Sequence, residues 1–232
     1  ERVYKEFPAN YVFYYDDPKG KFRTVYGGPV SRFSTRNGKE FQKEMRINSG
    51  KRLWESDINP VFRCLEENYS GAESPKLQTC FFDIEVDFDP ERGFSPPSDP
   101  FNAVTAITVY NDWMDKLITL VMPPKGLSWE SAEEISAQFD NCFLFEREDE
   151  LLSTFLDLIE DADILSGWNS EGFDIPYLVM RIKRVLSNDD NRRWCLWGQL
   201  PKQRTLERFG AETLTCDLIG RVHMDYRQLY RK

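Results

Sequence analysis

The sequence predicts an α/β fold: a mixed β-sheet with flanking helices over residues 76–232, preceded by a small α+β domain over residues 1–75. Three observations predict it. Three runs rich in β-branched and aromatic residues follow one another between residues 80 and 122, and helical and strand patterns then alternate as far as residue 186, an order that builds a sheet with helices packed on it. The helical segments carry apolar residues at helical spacing, as in Leu151, Leu152, Phe155, Leu158 and Ile159. Residues 71–75, with Gly71 and Pro75, read as a linker that sets the boundary near residue 75.

In chain order, residues 11–15 and 22–26 are aromatic and β-branched runs on either side of the turn-rich Asp16-Asp17-Pro18-Lys19-Gly20, which predicts a hairpin. Residues 38–48 read as a helix that Gly50 caps. Asn59-Pro60 opens a second helix, with Asn as N-cap and Pro at the first helical position, carrying Val61, Phe62, Leu65 and Tyr69. The run Cys80-Phe81-Phe82-Asp83-Ile84-Glu85-Val86 is the first sheet strand. Because a strand turns successive side chains to opposite faces, Phe82, Ile84, Val86 and Phe88 share one face and Asp83, Glu85 and Asp87 the other. After a loop at 93–100, residues 103–110 and 117–122 complete a meander. A helix at 129–139, a short strand at 142–145, a helix at 148–161 and a buried strand at Ile164-Leu165 follow. Asp174 then precedes an amphipathic helix bearing Ile175, Leu178, Val179, Ile182 and Leu186.

The 232 residues are ample for a core, and the five cysteines form no CxxC pair. With His223 as the single histidine, zinc chemistry is excluded and reduced thiols in a cytoplasmic setting are expected. There is no signal-peptide pattern and no apolar run of membrane-spanning length, so no membrane partner is expected. The net charge of -9 is unevenly spread: residues 111–174 carry 16 acidic and 3 basic side chains, whereas residues 175–232 carry 12 basic and 6 acidic ones. An acidic middle with basic margins suits a site where carboxylates hold metal and the margins meet phosphate, or else an ordinary solvated helix face.

Acids are depleted from buried strands, so Asp83 and Glu85 either face solvent on a half-exposed strand or have a compensating partner such as a divalent cation held by carboxylate oxygens. Asp174 is either the cap of its helix or a third ligand reaching the acidic strand. Asn169 and Phe173, in Gly167-Trp168-Asn169-Ser170-Glu171-Gly172-Phe173-Asp174-Ile175-Pro176, either line that cleft or serve loop geometry and core filling.

Phe82-Asp83-Ile84-Glu85, followed some eighty residues later by Gly167-Trp168-Asn169 and Phe173-Asp174-Ile175-Pro176-Tyr177-Leu178, resembles the first and second exonuclease motifs of the B-family replicative DNA polymerases of phages and archaea. Trp54-Glu55-Ser56-Asp57-Ile58 and Gly220-Arg221-Val222-His223-Met224-Asp225-Tyr226 resemble flanking segments of the same family. The resemblance covers residues 50–232 and implies an RNase H-like (DnaQ-like) fold that edits a single-stranded 3' primer end of DNA by two-ion chemistry with Mg²⁺ or Mn²⁺. It implies Asp83, Glu85 and Asp174 as metal ligands and catalytic residues, and contacts to DNA from Phe82, Asn169 and Phe173. The basic residues Arg181, Lys183, Arg184, Arg192 and Arg193 then meet phosphate or are simply solvated, and a hairpin within 200–217, tipped near Arg208, adjoins the primer path. The remaining polymerase domains, fused or separate, and a sliding clamp are the implied partners. No Asp has a Tyr four residues before it, the pattern of the family's third exonuclease motif, so the chain is expected to be a fragment ending before that motif, its site incomplete. Two other readings are a stand-alone nuclease of the same fold and a non-catalytic piece of a split polymerase that binds DNA or a partner.

Overall fold

A computed structural model describes residues 6–208 and 211–231, the side chains of Arg208 and Ala211 excepted. The chain divides into two compact units, Glu1–Pro75 and Lys76–Lys232.

The first unit is a four-stranded sheet with two helices. Strands β1 (Tyr11–Asp16), β2 (Phe22–Arg23), β3 (Pro29–Thr35) and β4 (Leu53–Trp54) lie in the order β2-β3-β1-β4, with helix α1 (Gly38–Ile47) between β3 and β4 in the chain and α2 (Pro60–Tyr69) after them. The expected hairpin of residues 11–15 with 22–26 does not form: β1 pairs with β3, and β2 joins the far side of β3. The reversal that matters lies at Gly27, whose φ of +83° lets the Thr24–Gly28 turn close where a side chain would strain it. Asn37 caps α1 through its side chain, and the helix ends on Asn48 rather than at Gly50. Asn59 caps α2 and Pro60 is its first residue, as the sequence implies, yet Val61, Phe62, Leu65 and Tyr69 are all exposed.

The second unit is a six-stranded mixed sheet. Its strands are β5 (Thr79–Val86), β6 (Val104–Asn111), β7 (Lys116–Val121), β8 (Cys142–Leu144), β9 (Ile164–Gly167) and, after the ribbon β10 (Lys202–Arg208) and β11 (Ala211–Asp217), β12 (Val222–Asp225). The order is β12-β9-β5-β6-β7-β8; β5, β6 and β7 form the expected antiparallel meander, and β9 and β12 run parallel to β5. Helices α3 (Trp129–Ser136), α4 (Glu148–Ile159), α5 (Asp174–Val185) and α6 (Tyr226–Tyr230) and a 3-10 turn at Asp190–Trp194 complete it.

The core lies between the sheet and the pair α4 and α5. Leu151, Leu152, Phe155, Leu156 and Ile159 of α4 and Ile175, Leu178 and Ile182 of α5 meet Cys80, Phe82, Ile84, Ile107 and Val109 of the sheet. Phe82, Phe155 and Trp194 make a mutual aromatic cluster with ring centroids 5.4–6.1 Å apart. Strand β5 alternates as its sequence demands, with Cys80, Phe82 and Ile84 buried and Phe81, Asp83 and Glu85 exposed. A bulge between Glu85 and Val86 ends the alternation, so Phe88 lies in solvent against Phe94 instead of joining the core. Among the described residues no helix is long and apolar enough to cross a membrane.

Candidate functional site

The opposite face of the sheet is the more open one. On β5, β6 and β7, cross-strand partners place Phe81, Tyr110 and Leu117 in one row and Asp83, Thr108 and Thr119 in the next. Phe81, Asp83, Thr108, Tyr110 and Leu117, with Gly167, Trp168 and Tyr226, line a cavity of about 770 Å³. It lies beside the middle of β5 and the carboxyl ends of the parallel strands β9 and β12, and strand carboxyl ends are where open α/β sheets commonly bind ligands.

Two of the three predicted acids come together here. Pairing of β5 with β9 stops at Phe81 and Ser166, which leaves the next stretch of that edge of β5 to the first turn of α5. Asp174 enters there, and its Oδ1 accepts the Ile84 N–H at 3.3 Å. Gly167 permits the approach: a Cβ there would stand 2.7 Å from the Phe82 carbonyl oxygen. Asp174 is the first residue of α5, Phe173 is its N-cap, and no side chain caps the helix, so the carboxyl of Asp174 serves β5 rather than its own helix end.

Asp174 is 4 % exposed, and its carboxyl is pushed up to about 7, first by burial and then by the charge of Asp83; main-chain N–H groups oppose the rise and Asp225 adds slightly to it. Two carboxylates close enough to interact, one of them buried, form a pair that a cation would relieve. Oxygen donors of this kind suit Mg²⁺ or Mn²⁺, which one or two carboxylates hold while substrate phosphates complete the shell. Glu85 projects from the same strand face, exposed, just before the bulge. Among the described residues, no group of three or more His, Cys, Asp or Glu is arranged to hold a metal.

The other named residues are placed as follows. Asn169 sits at φ +60°, its N–H donates to Asp225 Oδ1 at 3.0 Å and its Oδ1 accepts from Arg227 Nη1 at 2.6 Å. It lines a second, polar cavity of about 260 Å³ with Thr213, Arg227 and Arg231. Phe173 is half-buried against Tyr177. The Phe82 side chain is a core residue on the far face from Asp83, 3 % exposed and packed on Phe155 and Trp194, so its ring is not presented to a ligand in this structure.

Arg181 is engaged within the protein. It clasps Glu148 at 2.7 and 2.6 Å and donates to the carbonyls of Pro100 and Phe101, both side chains of the ion pair being 11 % exposed. Arg184 pairs with Asp99, Arg192 with Asp189 and Arg193 with Asp157. The described part of the predicted hairpin is the ribbon β10–β11, where Arg204 pairs with Asp217; its tip at Phe209 and Gly210, and the side chain of Arg208, lie outside the described residues.

Sequence reading missed the support from β12. Asp225, 6 % exposed, receives the N–H groups of Asn169, Glu171 and Arg227, and His223 Nε2 bonds Ser170 Oγ at 2.9 Å. Burial holds the His223 imidazole below its ordinary pKa. The available signal was an Asp followed by a helical run at 226–230, which marks a helix cap.

Residues 31–232 match the model of the exonuclease domain of DNA polymerase family B. The chain is 28 % identical over 235 residues to the DNA-directed DNA polymerase of Escherichia phage RB69, covering 91 % of this chain and 26 % of that protein. It is 22 % identical over 246 residues to the DNA-directed DNA polymerase of Enterobacteria phage T4, covering 95 % and 27 %. A DNA polymerase of Methanocaldococcus jannaschii is 25 % identical over 162 residues, covering 70 % and 8 %. The chain thus spans about a quarter of the length of the two phage polymerases.

Proposed function

The chain belongs to DNA polymerase family B through its exonuclease domain, and from that premise we propose that it removes the 3'-terminal nucleotide of single-stranded DNA, the editing step at a primer end. In this reading residues 76–232 are an RNase H-like exonuclease domain and residues 1–75 the family's N-terminal domain. The observation that carries it is the Asp83–Asp174 pair, a buried carboxyl pushed up to about 7 by burial and by a second acid that itself lines an aromatic cavity.

Asp83 and Asp174, with Glu85 beside them, would hold Mg²⁺ or Mn²⁺. Such an ion, when bound, supplies an acidified water and neutralises charge on the phosphodiester. The chain's own contribution is placement and exclusion. Phe81, Tyr110, Trp168 and Tyr226 offer aromatic faces on which bases stack without regard to sequence. Asn169, its amide oxygen engaged by Arg227, keeps its NH₂ as the donor assigned here to the terminal nucleotide, with Phe173 as the apolar residue beside the start of α5. Further polymerase domains are the partners this reading calls for.

The test is digestion of a 5'-labelled single-stranded oligonucleotide with Mg²⁺ or Mn²⁺. The Asp83→Ala, Glu85→Ala double variant and Asp174→Asn should each lose at least about 10²- to 10³-fold in rate, the scale of losing a group that stabilises transition-state charge. Both should keep the fold and the affinity for single strands. Digestion at the wild-type rate by these variants would refute the assignment, and tight binding without cleavage by the wild type would favour a binding role.

A further inference from the structure

The connection from β9 to α5, residues 168–173, carries Asn169 at φ +60°, a left-handed conformation that non-glycine residues adopt at a cost unless their surroundings enforce it. Asn adopts it more readily than most side chains, so the residue type permits the turn without fixing it, and α5 has no side-chain cap to fix its start. The enforcement comes from β12, more than fifty residues further on. Ser166 Oγ donates to the Met224 carbonyl at 2.8 Å, His223 Nε2 meets Ser170 Oγ, and Asp225 accepts Asn169 N–H at 3.0 Å and Glu171 N–H at 3.3 Å. The first turn of α5 hangs on the loop so held. Gly172 and Phe173 donate their N–H groups to the Asn169 carbonyl at 3.0 and 3.1 Å, and Ile175 donates to the Ser170 carbonyl at 3.0 Å.

We propose that Asp225 is a positioning residue for Asp174: by fixing Asn169 and Glu171 it sets the start of α5, and through it the distance of the Asp174 carboxyl from β5. The purpose of this device rests on the proposed nuclease site, whereas its physical content does not. Asp225 also accepts the Arg227 N–H at 3.0 Å, so one buried carboxylate joins the end of β12, the start of α6 and the loop. Its oxygens are engaged by three main-chain donors, which suits a brace better than an open ligand, and bonds to a charged acceptor are about twice as strong as neutral ones.

The readout is hydrogen exchange at single amides in the 232-residue chain without metal. Ile84 N–H donates to Asp174, so its protection reports where Asp174 sits. In Asp225→Ala, exchange at Asn169, Glu171 and Ile84 should quicken by about tenfold to a hundredfold, as expected when a bond to a charged group is lost. Ile107 and Leu120, in the middle of the sheet, should keep the wild-type rate. Asp174→Ala should quicken Ile84 alone. If Asp225→Ala does not fold, Asp225→Asn decides, since it keeps one acceptor oxygen and should quicken Glu171 and Ile84 while sparing Asn169. Wild-type protection at Ile84 in the folded variant overturns the proposal and reduces Asp225 to a local cap of α6. Because the measurement involves neither DNA nor metal, it stands or falls apart from the nuclease assignment.

Discussion

A carboxyl that titrates near 7 in the fold and at an ordinary 3.8 in the unfolded chain binds its proton more tightly when folded, so it costs stability as pH rises through that window. Asp174 therefore destabilises the metal-free protein above about pH 7 and not at all below about pH 4. Asp174→Asn, which keeps an oxygen for the Ile84 N–H, should raise stability at pH 8 by on the order of 2–4 kcal/mol and change little at pH 4. Urea denaturation of both proteins in a chelator checks this, and a difference independent of pH would show a solvated Asp174. His223 acts in the opposite sense: its folded pKa lies below 6.5, so stability falls as pH drops below that value. With Asp174 neutralised, the urea midpoint of the Asn variant should decline from pH 7 to pH 5. The open strand face of Asp83 and the helix start at Asp174 were legible in the sequence because alternation on a strand and the start of a helix are local patterns, whereas only the motif resemblance brought the two acids to one site. Alternation also puts Phe82 behind the strand, where the ring cluster holds it. Asp225, His223 and Arg227 were not legible, because their partners are in a loop more than fifty residues earlier and only the β9–β12 pairing unites them.

At the scale of elements, a basic side chain on an amphipathic helix carries no label saying whether it faces a ligand or fastens a neighbour. Arg181 projects from α5 onto Glu148 at the start of α4 and onto the carbonyls of Pro100 and Phe101, so it ties two helices to the loop before β6. Glu148 also accepts the Val104 N–H at 2.9 Å, which extends the tie into the strand itself. Removing one partner of a largely buried pair leaves the other uncompensated, so Arg181→Ala should cost about 3–5 kcal/mol. Its single-strand affinity, measured where it remains folded, should match the wild type. A variant of unchanged stability with weakened DNA binding would restore the phosphate role. The sequence disclosed the helices and meander because 3.6-residue and two-residue periods are written into apolar spacing, as in α4, α5 and β5. It did not disclose the pairing of β1, since the same aromatic run can face either of two later strands and turn geometry at Gly27 makes the choice. Nor does spacing decide burial: α2 has a cap, a proline and an apolar stripe, yet its stripe is exposed.

Over the whole molecule, the basic excess beyond residue 175 argues for strongly salt-dependent DNA binding only if those charges are open to phosphate. Arg181, Arg184, Arg192 and Arg193 are each paired with a carboxylate of the protein, and Arg204 is divided between Glu171 and Asp217. A phosphate that displaced one of these carboxylates would exchange one ion pair for another and expose an acid to the strand. Residues 76–232 also carry 28 acidic side chains against 17 basic ones, so the mean field of that unit repels a polyanion. Base stacking in the aromatic cavity has no such penalty and no counterions to release. Single-strand affinity should therefore be weak, with log K falling against log salt at a slope of about -1 to -2, because each phosphate neutralised contributes about -0.7. Arg192→Ala with Arg193→Ala should leave the slope unchanged, while Trp168→Ala should weaken binding by about 1–3 kcal/mol at every salt concentration, the worth of one stacked base. Fluorescence anisotropy of a labelled oligonucleotide between low and physiological salt makes the measurement, and a slope steeper than about -4 that the double arginine variant flattens would mean that these ion pairs open to receive the backbone.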